Sequence, residues 1–194
     1  FAADHHPPVE GDLFGAEKQR AIDPLVSVVG GFAVAAHDYR TPQRPAPNAL
    51  ITEIQAQSGA EYELNTLRVD ALCYVDRDFA VKRIPSALDG LPIIQMVNAD
   101  KDATDAPFLT FNLTQPARVY IAYESTVKTL PDWLSGFAPA NMQVELFDSF
   151  ALISRVMTVY GRDFPAGQVE LGGNQAKGYD GNVILNYLVI LDPA

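Results

Sequence analysis

From about residue 49 onward, apolar and polar positions alternate along much of the chain with a period of two. Across 118–123, Val119, Ile121 and Tyr123 fall on one side, and Arg118, Tyr120 and Ala122 on the other. Such alternation turns one face of a strand toward a core and the other toward solvent or a second layer. The pattern predicts strands over 50–57, 67–75, 79–84, 93–97, 108–113, 118–123, 143–147, 156–160, 168–171 and 183–191. They recur at intervals of roughly 8–12 residues with Asp, Asn, Gly and Pro between them, the spacing of a sandwich or barrel. One helical turn is expected at Leu130-Pro131-Asp132-Trp133-Leu134, with proline early and Gly136 closing it. Strands do not alternate with helices, which counts against a nucleotide-binding α/β fold. The fold predicted for 49–194 is all-β, an antiparallel, jelly-roll-like β-sandwich.

Residues 1–48 have a different character. His5-His6-Pro7-Pro8, Asp23-Pro24, Thr41-Pro42 and Arg44-Pro45-Ala46-Pro47 place prolines too densely for long helices or central strands. A short helix is expected between Gly11 and Ile22, then an apolar run from Leu25 to Ala36 that Gly30-Gly31 interrupts. The segment reads as an extended, proline-rich N-terminal arm. Its Val26, Val28, Val29 and Phe32 must be covered by the protein's own sandwich or by a neighbour, and they are the expected partner-binding residues.

Composition narrows the function. The chain has 194 residues, 48% hydrophobic and 20% charged, and a formal charge of −10. That is the make-up of a globular domain, and the acidity argues against nucleic acid, which needs a basic face. The longest apolar run is shorter than the roughly 20 residues of a membrane-spanning helix, so no span is expected. A single cysteine, Cys73, rules out an intrachain disulfide. Its setting in Leu72-Cys73-Tyr74-Val75 predicts a buried structural thiol. A chain that opens on Phe1 is expected to have been trimmed, which is compatible with export.

Catalytic motifs are missing. There is no G-x-S-x-G, no P-loop and no dinucleotide fingerprint, and the histidines lie outside the β region. No pair of carboxylates is singled out for glycoside hydrolysis. His5, His6 and His37 make a poor zinc set. The calcium candidates are Asp100, Asp102 and Asp105, with Asn98 just before them. Lys101 interrupts this loop, and it lacks the glycine and glutamate of an EF-hand, so it reads as a solvated acidic loop. Neither catalysis, cofactor nor metal is expected.

An ordered set of motifs runs through Tyr74-Val75-Asp76-Arg77-Asp78-Phe79, Ile84-Pro85-Ser86-Ala87-Leu88-Asp89-Gly90, Asn98-Ala99-Asp100-Lys101 and Val119-Tyr120-Ile121-Ala122-Tyr123. It continues through Leu130-Pro131-Asp132-Trp133-Leu134, Phe164-Pro165-Ala166-Gly167, Leu171-Gly172-Gly173-Asn174 and Asn186-Tyr187. By these motifs, residues from about 61 to 191 resemble a β-sandwich accessory module of secreted bacterial proteins, often appended to polysaccharide-degrading enzymes. The resemblance implies an extracytoplasmic, periplasmic or secreted location.

Two functions follow as expectations. One is an accessory or structural subunit that docks through its arm and sandwich onto protein subunits of a larger assembly. The other is a carbohydrate-binding module with Tyr120, Tyr123, Trp133 and Tyr179 as candidate stacking surfaces. Taken residue by residue, the motifs are mainly structural. Asp76-Arg77-Asp78 reads as a local ion pair with Asx-turn bonds. Trp133 reads as a plug over one end of the core. Gly167, Gly172, Gly173 and Asn174 are expected to supply positive φ at strand ends.

Overall fold

Leu188, Val189, Ile190 and Leu191 form an unbroken apolar run in which every side chain is fully buried. Such a run suits a strand covered on both faces. The computed structural model, which describes residues 47–179 and 181–193, places this run in the interior of a sheet. After a helical turn at Pro47–Leu50, the described chain forms β1 (Ile51–Ala56), β2 (Glu63–Thr66), β3 (Phe79–Arg83), β4 (Pro92–Gln95), β5 (Leu109–Leu113), β6 (Ala117–Glu124), β7 (Ala138–Asp148), β8 (Ile153–Phe164), β9 (Gly167–Leu171) and β10 (Leu188–Pro193). Short 3₁₀ turns lie at Asn98–Asp102 and Asp132–Gly136.

The strands form two sheets, β2-β4-β10-β6-β8-β7-β3 and β1-β5-β9. Every pairing of these strands is antiparallel. The fold is therefore the all-β antiparallel sandwich that the alternation predicts. Val119, Ile121 and Tyr123 of β6 are 0%, 0% and 1% exposed, as their shared face requires. Facing apolar residues from both sheets join one core, including Phe111, Val169 and Leu171 from the smaller sheet. Burying each large apolar side chain is worth about 1.5–3 kcal/mol.

Three expectations change. Residues 67–75 make no strand; β2 precedes them, and only the isolated bridges Leu72↔Ala80 and Tyr74↔Met96 follow. Asp70 sits at φ 67 and its N–H bonds the Val81 carbonyl, so the chain turns where the apolar pattern reads as extended. The predicted strand over 183–191 is strand only from Leu188, because the backbone groups before it bond to side chains. The hairpin of β7 and β8 is much longer than its apolar centre, at 11 and 12 residues. A register shift between Pro139 and Met142, with Asn141 at φ 54, masks its period.

The glycine expectation holds at Gly167, with φ 124, whereas Gly172, Gly173 and Asn174 are outside the positive-φ residues. Close approach is what requires the glycines there. A Cβ on Gly172 would stand 2.2 Å from Trp133 Cδ1, and one on Gly173 would stand 2.2 Å from the Ala103 carbonyl oxygen. Residues 1–46 of the predicted arm, Val26, Val28, Val29 and Phe32 among them, lie outside the described residues.

Candidate ligand-binding cleft

The segment entering β3, the 3₁₀ turn after β4 and the β7–β8 turn meet around a cleft of about 520 Å³. Asp76 fastens the first wall to the second. Its Oδ1 accepts the Asn98 N–H at 2.6 Å and its Oδ2 the Ala99 N–H at 3.1 Å. Arg77 Nη1 donates to the Asp76 carbonyl at 2.7 Å and lies 3.4 Å from the carboxylate. The expected local ion pair is thus present, while the carboxylate bonds reach across the fold instead of forming an Asx turn. Below it, Phe79 meets the buried Tyr74 edge-on, with centroids 5.7 Å apart.

Asp148 shapes the third wall. Its Oδ1 accepts the N–H groups of Phe150 and Ala151, each at 3.0 Å, which caps the turn. Ser149 Oγ donates to the Asp78 carbonyl at 3.1 Å and so ties the turn to the first wall. Phe150 at the tip is 99% exposed. Asp148 Oδ2 lies 4.0 Å from Arg155 Nε, a buried donor without a hydrogen-bond partner, and Arg155 Nη1 lies 3.6 Å from Glu124 Oε1. The buried Glu124 accepts the N–H groups of Ile184 at 3.0 Å and Leu185 at 3.1 Å on its other oxygen. Ile184 also lines the cleft. A chain of charges therefore links two of its walls.

The loop behind Ile184 is braced by asparagines. Asn98 accepts the Asn186 N–H at 2.8 Å and donates to the Ile184 carbonyl at 3.1 Å. Asn186 donates to the Val97 carbonyl, and Asn174 to the carbonyls of Lys101 and Leu185. These bonds satisfy backbone groups that a strand ladder would otherwise pair.

None of the four predicted stacking residues lines the cleft. Tyr123 is buried and donates its hydroxyl to the Asn174 carbonyl. Trp133 is half-buried, donates its N–H to the Gly173 carbonyl at 2.8 Å, and meets Phe137 and Tyr187 edge-on. That arrangement is the plug over the core that the sequence predicts. Tyr120 is half-buried beneath the Arg118 guanidinium, 5.5 Å from its ring centroid. Tyr179 is half-buried, and its carbonyl accepts a bond from Gln175.

The calcium candidates do not converge either. Asp100 Oδ2 accepts the hydroxyls of Ser58 at 2.8 Å and Tyr62 at 2.7 Å. Asp102 pairs with Lys101 at 2.7 Å, and Asp105 is exposed. Among the described residues, no three His, Cys, Asp or Glu side chains are gathered to hold a metal ion. Cys73 is fully buried, and burial pushes its thiol up to about 12.

Phe150 was absent from the predicted site residues. The available signal was an apolar residue between Ser149 and Ala151, directly after Asp148, in a stretch assigned to no strand.

No protein family and no curated protein matches the sequence. Among solved structures, the fold is similar to part of a β-glucuronidase from glycoside hydrolase family 2. The TM-score is 0.66 at 17% identity, over 77% of this chain and 15% of that one. A second similarity is to an enzyme of glycoside hydrolase family 138 that targets the pectin rhamnogalacturonan II. There the TM-score is 0.47 at 12% identity, over 71% of this chain and 16% of that one. The chain thus spans about one sixth of the length of either enzyme, and the first likeness is one of fold.

Proposed function

We propose that this protein is a non-catalytic, extracytoplasmic accessory module that binds a polysaccharide in the cleft beneath Phe150. The observation that carries the reading is that ring, 99% exposed at the rim of a polar cleft. Leu152 and Ile153 beside it are also exposed, at 73% and 43%, so the ring belongs to a clustered apolar tip of the kind that marks interaction sites, and a ring face beside convergent polar groups suits a sugar. The likeness to a stretch of a β-glucuronidase supports an accessory role beside carbohydrate chemistry, as does the resemblance to modules appended to polysaccharide-degrading enzymes. Glycoside hydrolysis needs two working carboxylates. Of the three carboxylates in this cleft, Asp76 accepts two backbone N–H groups and one oxygen of Asp148 accepts two more, which leaves Asp78 without a second open carboxylate beside it and favours binding over chemistry. Affinity electrophoresis against a polysaccharide panel tests the reading: a retarded band with at least one polysaccharide and no release of reducing sugar is expected. No retardation by any polysaccharide overturns it.

A second reading has the chain docking onto protein subunits of a larger assembly through residues 1–48. The apolar run bearing Val26, Val28, Val29 and Phe32 favours it. Deleting 1–48 should then abolish co-purification of a partner and leave a folded β domain. A truncated protein that still carries its partner in full refutes the docking arm.

A further inference from the structure

We infer that the cleft selects an uncharged pyranose and rejects sugars bearing carboxylates. The inference rests on the carbohydrate-binding reading and adds the chemical class of its ligand. It follows from which polar groups around the cleft are already occupied. Both oxygens of Asp76 accept backbone N–H groups. Asp148 caps its own turn and faces Arg155. Ser149 is bonded to the Asp78 carbonyl, and Lys101 Nζ is paired with Asp102 at 2.7 Å.

Asp148 Oδ2 has no hydrogen bond among the described residues but belongs to a side chain only 13% exposed, so three well-exposed groups remain. The Asp78 carboxylate is exposed and makes no hydrogen bond or ion pair among the described residues. Arg77, its side chain 55% exposed, engages Asp76 through Nη1 and keeps Nε and Nη2. Phe150 offers an uncovered ring. An acceptor, a donor and an apolar face are complementary to an uncharged pyranose. Its hydroxyls donate to Asp78 and accept from Arg77, and its C–H face lies on Phe150; bonds to charged partners are the stronger kind. The cleft volume of about 520 Å³ is within the range of ligand pockets.

Charge sets the selection. A uronate placed against Arg77 meets the unpaired Asp78 in the same cleft and approaches a chain of formal charge −10. Lys101 does not offset this, because Asp102 already neutralises it.

The test is titration calorimetry of the full chain with neutral oligosaccharides (gluco-, manno-, galacto- and xylo-configured) and with oligogalacturonate and chitosan oligomers as charged controls. The expected result is binding to at least one neutral series, with Phe150→Ala and Asp78→Ala each weakening it about tenfold or more. Circular dichroism shows whether each variant is folded; both sites are exposed, and Arg77→Ala serves as a third variant of the same cleft. Preference for oligogalacturonate, strengthened by Asp78→Ala, overturns the neutral-sugar inference and leaves carbohydrate binding standing. Preference for chitosan, lost in Asp78→Ala, does the same. Neutral binding unchanged in all three variants removes the site from this cleft. Silence from every glycan overturns the carbohydrate reading itself.

Discussion

The two sides of the cleft are held by opposite means. Behind Ile184, residues 183–187 are irregular backbone whose polar groups go to the buried side chains Glu124, Asn98, Asn174 and Asn186. Opposite, the β7–β8 turn presents Phe150 and Leu152 to solvent at 99% and 73% exposure. Leu152 even adopts φ 55, a conformation disfavoured for such a side chain. Polar residues are buried on one side, and apolar residues are exposed on the other. The braced side is where the fold depends on hydrogen bonds; the exposed tip is where side chains stand free of the core.

The sharpest way to break this contrast is Glu124→Leu. The substitution leaves the Ile184 and Leu185 N–H groups without their acceptor and Arg155 without its nearer carboxylate. Removing one partner of a buried charge pair costs about 3–5 kcal/mol, and urea unfolding should register a loss of that size. A loss below about 1 kcal/mol, the scale of one ordinary hydrogen bond, would mean that Glu124 does not brace this side.

Alkaline pH tests the braced side by a second route. Three buried tyrosines anchor its carbonyls: Tyr74 to Asn186, Tyr123 to Asn174 and Tyr187 to Gly172. Burial raises the pKa of all three phenols, and of the Cys73 thiol, above their ordinary values. The folded chain therefore keeps protons that the unfolded chain releases. This stabilisation is complete below the unfolded pKa values, about 8.5 for Cys and 10 for Tyr. It is lost as pH rises from there toward the folded values, by at most about 1.4 kcal/mol per pH unit for each group. The urea midpoint should fall progressively above about pH 9; a midpoint unchanged between about pH 8 and 11 would contradict the burial of these phenols.

Much of this fold was legible because β3, β5, β6 and β9 carry their own apolar periodicity over short spans. Leu109, Phe111 and Leu113 of β5 alternate inward in an unambiguous way. Residues 183–187 were misread because Val183, Ile184 and Leu185 look like a strand, and only distant residues, Asn98 and Glu124, divert their backbone bonds. No local pattern encodes a partner 86 residues away. The candidate site was harder still. Aromatic residues with strand periodicity, such as Tyr123, drew attention, yet periodicity marks the core. Phe150 stood out of phase in a turn, and its exposure depends on the length of the β7–β8 hairpin. Asp76 looked like a local turn residue because its bonds to Asn98 and Ala99 cross 22 and 23 residues.

The smallest expected effect belongs to the exposed tip. Phe150 touches so little that Phe150→Ala should change unfolding free energy by no more than about 0.5 kcal/mol, the usual range for a surface position. The turn itself should persist, because Asp148 bonds the backbone N–H groups at 150 and 151 whatever side chain follows. Differential scanning fluorimetry can make the comparison directly. A drop matching a loss above about 1 kcal/mol would mean that the ring packs against the cleft walls in solution. Phe150 would then belong with the braced residues. An unchanged melting curve together with lost glycan binding would separate the two sides of the cleft: one maintains the fold, and the other presents a side chain that the fold does not need.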